Sequence, residues 1–325
     1  MSDEHDVLLV CADATTGWRA ATNELAGSLE RSGARVRTAF TGPVRDVRTF
    51  PLTDFVQARA ARRATLAALA AHEPAAIVYC AITAALLWPR PGAIWLDAIA
   101  AENRPGRHGV WQRIVERRRI AASPLIIRMS ERAMEPMPGG QGPIVPVAVE
   151  RSGPLAAERD IAAITYAADP VKRRLSLVLD AWSAARQPGE TLVVAGTDRA
   201  PVTQGVEVAG RLAPDDYRAM LRRARVFVCA PRREDYGIAP LEALADGCML
   251  VTTPARGAYP AFELARQLDP RLATEDLAGA LRAALDSPSP GYAARAAELL
   301  APFGRDAVDE VVVRDVLPRL LPGLS

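Results

Sequence analysis

The chain has 325 residues, more than one hydrophobic core usually serves, so two domains are expected. It is 50% hydrophobic and 24% charged with a formal net charge of +2, which suits a soluble globular protein and gives no bulk electrostatic reason to expect nucleic acid as a partner. No apolar run reaches transmembrane length, and the acidic start from Met1 to Asp6 speaks against a secretory signal.

In chain order, Asp6 to Cys11 reads as a buried strand, followed by a loop from Ala12 to Gly17 and a helix from Trp18 to Arg31. Gly33 ends that helix, and Ala34 to Phe40 is a second strand. The spacing of apolar residues predicts a helix over 54–71 with one buried face. Strands follow at 75–81 and 93–97, then a helix at 111–121 and a strand at 125–128. Alternation of this kind implies a parallel sheet. Residues Glu135 to Gly153 are rich in Pro and Gly and are read as the linker, with a short strand at 143–149 closing the first sheet. A second series begins at Asp160, with strands at 161–167, 191–195, 206–209, 226–230 and 249–252. Helices are expected at 175–185, 214–223 and 240–245, with Gly247 as the residue just past a helix end. A helix to Leu285, a Ser-Pro-Ser-Pro break at 287–290 and a helical end complete the chain. The economical architecture is α/β: two Rossmann-like domains facing across a cleft, at 1–150 and 151–300, with 301–325 as a C-terminal helix packing back on the first.

Cys11, Cys80, Cys229 and Cys248 lie in or beside apolar strand-like runs with no Cys-x-x-Cys pair. They read as buried free thiols in a reducing compartment, so a cytoplasmic location is expected. His5, His72 and His108 are far apart in sequence, and no zinc site is expected from them. Nearly all cations are arginine. Base composition explains that bias, and it leaves the one lysine, Lys172, open to a chemical role.

The richest stretch is 224–247. An apolar strand runs out at Pro231, and Glu234 and Glu242 follow, eight positions apart, around Gly237 and Pro240. Gly237 permits tight backbone geometry and Pro240 suits the first turn of a helix, which places Glu242 in that turn. Two carboxylates and helix N–H groups are thus expected beyond the end of a strand, where open α/β sheets bind ligands. Taken singly, a glutamate near a helix start is also favourable through capping and the helix dipole alone.

The run Glu234-Asp-Tyr236-Gly237-Ile-Ala-Pro-Leu-Glu242-Ala243-Leu-Ala245-Asp-Gly247 resembles the Glu-x7-Glu element of GT-B glycosyltransferases of family 4, the retaining type. The likeness extends more loosely over 161–285, while the first half is similar in strand–helix rhythm. The resemblance implies that Glu242 accepts hydrogen bonds from ribose hydroxyls, Glu234 holds hydroxyls of the transferred sugar, and the backbone around Gly237 and Ile238, beside Tyr236, faces sugar and diphosphate. Carboxylates suit vicinal hydroxyls and helix N-termini suit phosphate. It implies an Arg and a Lys after the first strand of the domain. Here Lys172, Arg173 and Arg174 supply cations, with Lys172 matching by type and Arg173 by distance to Leu175. Ala167 or Ala168 stands where the family has Arg, and Arg173 or Arg174 is suited to compensate. Arg211 and Leu212, after another strand, are expected beside the nucleobase.

In the first half the loop Thr15-Thr16-Gly17 matches the place of a flexible glycine loop near acceptor and phosphate. Asp97, at a strand end before the polar stretch Glu102-Asn103-Arg104, suits orienting or deprotonating an acceptor hydroxyl; the competing use is an N-cap. The basic segment 111–119 offers a peripheral contact to anionic lipid, although such faces are more often simply solvated. The expected function is retaining transfer of a sugar from a nucleotide-diphosphate sugar to an acceptor hydroxyl. No cofactor and no obligatory metal are expected, and the chain has no Asp-x-Asp element. The alternatives are a transferase-like module that binds nucleotide sugar without turnover and, ranked lower, a glycoside hydrolase using the two glutamates.

Overall fold

The computed structural model describes residues 6–12, 16–42, 44, 47, 49–134, 142–201 and 203–322. The acidic start up to His5, Thr15 of the first loop and Glu135 to Gln141 of the expected linker lie outside the described residues. The chain divides into two compact units, Met1–Ala148 with Arg305–Ser325, and Val149–Gly304.

The first unit alternates β1 (Val7–Cys11), α1 (Thr16–Arg31), β2 (Val36–Phe40), α2 (Phe50–Ala71), β3 (Ala76–Cys80), α3 (Ile82–Ala85), β4 (Ala93–Leu96), α4 (Ala100–Asn103), α5 (Val110–Ala122) and β5 (Ile126–Arg128). The strands form one parallel sheet in the order β2-β1-β3-β4-β5. β1 and β4 are apolar and buried at every position, as strands covered on both faces must be. The strand expected at 143–149 is a correction: it makes one bridge, Arg128 to Ile144. Pro143 and Pro146 lack the N–H groups a ladder needs. The segment is tied down instead by the Trp95 indole N–H, which donates to the Val145 carbonyl at 2.9 Å.

The second unit carries β6 (Ile161–Tyr166), α6 (Leu175–Ala185), β7 (Leu192–Ala195), β8 (Val206–Gly210), α7 (Pro214–Arg223), β9 (Ala224–Cys229), α8 (Ile238–Ala245), β10 (Met249–Thr252), α9 (Pro260–Leu268), α10 (Leu277–Asp286) and α11 (Tyr292–Leu299). Its sheet is parallel, in the order β10-β9-β6-β7-β8. Counted from β6 this is the 3-2-1-4-5 order of a dinucleotide-binding sheet, and the order reverses between β6 and β9. Loops leaving the carboxyl ends of those two strands therefore diverge to opposite sides and leave a crevice between them. After Gly304 the chain continues as α12 (Arg305–Val311), a π-helical turn (Val312–Val316) and α13 (Leu317–Leu320), which belong to the first unit.

Four helices begin earlier than expected, α5 by a single residue, and the shifts of α1 and α8 move candidate residues. α1 starts at Thr16, so Thr16 and Gly17 lie in a helical turn rather than a loop. α2 starts at Phe50, with Pro51 in its first turn. α8 starts at Ile238, because Gly237 at φ 87° is its N-cap and Pro240 sits where an N–H has no helical partner anyway. Glu242 is consequently in the second turn of α8, not the first. Gly247, at φ 81°, follows the helix end as expected, with the Cys248 N–H donating to the Ala243 carbonyl at 2.8 Å.

Candidate functional site

The turn after β6 and the loop after β9 meet at the switch point. In the turn, Asp169 Oδ1 accepts from the Val171 and Lys172 N–H groups at 3.0 and 2.9 Å, and Arg174 takes the left-handed conformation at φ 47°. That conformation aims the Arg174 guanidinium at the end of β9. It donates to the Ala230 carbonyl at 2.6 Å and to Thr253 Oγ1 at 2.8 Å. The Arg232 N–H closes the junction by donating to the Lys172 carbonyl at 3.0 Å. Arg174 is thus a clamp on neighbouring strand ends. Arg173, beside it, forms an ion pair with Glu234. Lys172 is exposed on the same turn.

Glu234 is 5% exposed. Its N–H donates to the Arg256 carbonyl at 2.8 Å, so the loop after β10 fixes it from the other side. Gly257, at φ 102°, makes that approach possible: a Cβ there would come within 2.3 Å of the Glu234 carbonyl oxygen. The Glu234 side chain lies against the start of α8, since a Cβ on Gly237 would meet Glu234 Cγ at 3.0 Å. A carboxylate, a guanidinium and the N-terminal N–H groups of α8 therefore share one corner, flanked by the buried Tyr236 and half-buried Ile238.

Glu242 faces a cation on α7. Arg218, on α7, lies 3.6 Å from Glu242 Oε1 and bonds Asp246 Oδ2 at 2.6 Å. Asp246 is fully buried and is further satisfied by the Ser152 N–H at 2.8 Å and the Ser152 hydroxyl at 3.0 Å. Burial pushes the Glu242 carboxyl up to about 7; Arg218 pulls it down and Asp246 pushes it up further. Its side chain keeps 26% of its surface exposed, enough to meet a ligand. Tyr217, one residue before Arg218, packs tilted against Tyr166 at 5.4 Å between ring centroids. Its buried hydroxyl has no hydrogen-bond partner among the described residues. Sequence reasoning missed Arg218, Asp246 and Tyr217. After β8, Arg211 is exposed and Leu212 half-buried.

In the first unit, Asp97 directly follows β4 and is half-buried. The polar loop expected after it is the one-turn helix α4, which Asn103 closes. Arg104, expected at the acceptor loop, is half-buried in an ion pair. Its guanidinium is held by the buried Asp54, with Nε–Oδ2 at 2.6 Å and Nη2–Oδ1 at 2.9 Å. Gln112 Nε2 donates to the same carboxylate at 3.0 Å. The buried Glu116 accepts from the Ala100 N–H at 2.7 and 2.9 Å, anchoring the start of α4 three residues beyond Asp97. Burial pushes that carboxyl up to about 7, against the lowering effects of the Ala100 N–H, Arg104 and Arg117.

Residues 159–287 match the model of the family described as glycosyl transferases group 1. No curated protein matches the chain. Solved structures with the same fold include WaaG, a glycosyltransferase involved in lipopolysaccharide biosynthesis, at 13% identity and TM-score 0.68 over 94% of this chain and 99% of that one. Anabaena Alr3699/HepE, solved with UDP and glucose, is similar at 14% identity and TM-score 0.68 over 95% and 98%. Sucrose-phosphate synthase from Thermosynechococcus elongatus is similar at 14% identity and TM-score 0.67 over 98% and 99%. With two parallel sheets in the GT-B fold and a group 1 glycosyltransferase domain over 159–287, the chain is a transferase enzyme.

Proposed function

We propose that the chain moves a sugar from a nucleoside-diphosphate sugar to an acceptor hydroxyl with retention of configuration. The observation that carries this reading is the corner at the β6/β9 switch point, where Arg173, Glu234 and the start of α8 come together. In this reading the α8 N–H groups, Arg173 and Lys172 hold the diphosphate as it takes up negative charge, and no bound metal is required. Glu234 accepts hydrogen bonds from the sugar, and Glu242 grips the ribose diol. HepE was solved with UDP and glucose, which favours a nucleotide sugar as donor here as well. The bond from the anomeric carbon to the phosphate oxygen breaks, the acceptor oxygen bonds on the same face, and its proton passes to the departing phosphate. Asp97 is the candidate for orienting that hydroxyl. Four buried free thiols fit a cytoplasmic setting.

The test is donor binding followed by turnover. Calorimetry with a panel of nucleotide sugars should find one donor whose affinity falls tenfold to a hundredfold in Glu242→Ala, about the loss of a charge-assisted hydrogen bond or two. Unchanged affinity would remove Glu242 from the donor site. The alanines at 167 and 168, where the resembled family carries Arg, favour the second reading, a module that binds donor without transfer. Steady release of nucleoside diphosphate in the presence of an acceptor, undiminished by a chelator, separates the two.

A further inference from the structure

Helix α5 turns part of its apolar surface outward. Val110 and Ile114, one turn apart, are 43% and 46% exposed, while Gln112 and Glu116 on the opposite face are each 1% exposed. A water-facing helix normally shows the reverse pattern. The inward polar pair is not an error of packing. Gln112 Nε2 joins the Asp54–Arg104 pair and Glu116 caps α4, so the interior between these helices is a polar cluster in which Gln112 Oε1 alone lacks a partner among the described residues. The outward aliphatics receive no such explanation from the fold.

The neighbouring helix repeats the pattern. Phe55 of α2 meets Trp111 of α5 edge-to-face at 6.1 Å, so the two surfaces are continuous. Phe55 is 38% exposed and Leu52, one turn before it, 48%. Every acidic residue on the two helices, Asp54 and Glu116, is buried. Outward charge is therefore all of one sign: Arg59, whose guanidinium lies over the Phe55 ring at 5.8 Å, with Arg63, Arg117 and Arg118, all exposed. Exposed apolar side chains continuous across two helices whose described outward charges are all arginine are unsuited to water. They match the layered chemistry of an anionic bilayer surface, with acyl chains beneath phosphate. No helix among the described residues is long and apolar enough to cross a membrane, so the contact would be peripheral.

We propose that the α2–α5 face of the first unit, built on Leu52, Phe55, Val110 and Ile114 with the surrounding arginines, docks on the surface of a membrane rich in anionic phospholipid. The arginines give the attraction and the face its salt dependence; the four apolar side chains enter the headgroup boundary.

Cosedimentation of the full chain with vesicles tests this. Vesicles of phosphatidylcholine alone are compared with vesicles containing about a third phosphatidylglycerol, a composition that gives the negative surface potential. Binding is expected to the anionic vesicles and to weaken as salt rises. Arg117→Glu with Arg118→Glu should lower the partition coefficient by about tenfold or more. Phe55→Ser with Ile114→Ser should lower it at high salt, where attraction by charge is screened. These positions stand outside the donor site, so donor affinity in lipid-free buffer should hold, while Phe55→Ser lowers the melting temperature slightly through its lost contact with Trp111. If donor binding fails while vesicle binding stands, the transferase reading falls and this one survives. Three results overturn the proposal: equal binding to both vesicle types, arginine-dependent binding to single-stranded RNA without vesicle binding, or loss of a dimer in Ile114→Glu without vesicle binding.

Discussion

Glu242 sits between opposing influences, with burial raising its proton affinity and Arg218 lowering it. A carboxyl that titrates near 7 loses acceptor capacity as pH falls through that value. Donor affinity, measured by calorimetry, should therefore drop between pH 8 and pH 6 in the native chain and lose that dependence in Glu242→Ala. Arg218→Met removes the cation that favours the ionised form, so the midpoint should move to higher pH, and Arg218→Lys should move it less. A midpoint unmoved in Arg218→Met would mean that Arg218 merely fills space. Glu234, Gly237 and Glu242 were legible in the sequence because one short segment holds them at fixed offsets. Arg173 was legible by its distance to Leu175. The Arg218–Asp246 pair was not, since 28 positions separate the partners and only the packing of α7 against α8 brings them together. The Arg104–Asp54 pair was illegible for the same reason: 50 positions separate the partners.

At the scale of elements, α5 and α8 each keep a feature at some cost. Buried Glu116 titrates near 7, against an ordinary value of 4.5. Between those values the folded chain holds more protons than the unfolded one, so this group's contribution to stability falls as pH rises toward 7. Glu116→Gln cannot ionise. Its melting temperature relative to the native chain should rise from pH 5 to pH 8, as followed by circular dichroism at both. A difference that stays constant with pH would show that Glu116 stays ionised throughout. Gly237→Ala should cost about 1–2 kcal/mol through its left-handed conformation, read as a lower denaturation midpoint, and should weaken donor binding by displacing Glu234. Helix existence and type were readable from apolar spacing across both halves. Starts were less so, because α8 is set by the backbone of Gly237 rather than by Pro240, and the one-turn helices α3 and α4 are too short for periodicity to register. α9 has a proline in its first turn, a signal the strand–helix reading passed over.

At the scale of the molecule, the last segment completes the first unit. Val308, Val312, Val316 and Leu320 are buried, α12 packs on α1, and Arg31 bonds Asp309 at 2.6 Å. Truncation after Gly304 should destabilise the first unit by several kcal/mol, given about 1.5–3 kcal/mol for each fully buried aliphatic side chain as an upper bound. The second unit should keep its own transition. Limited proteolysis with mass spectrometry reads this directly: cleavage confined to residues before 149 is expected, and a uniform loss of protection would contradict it. Periodicity placed a helical end here, but contacts spanning 278 positions leave no local trace in a sequence.

The buried cysteines give that experiment a finer reporter. Cys11 and Cys80 stand opposite each other on neighbouring strands of the first sheet, and Cys229 and Cys248 are sealed in the second. Each half thus hides two thiols of its own. Brief alkylation along a denaturant series, followed by peptide mapping, would reveal which half opens first, with no dye or tag attached.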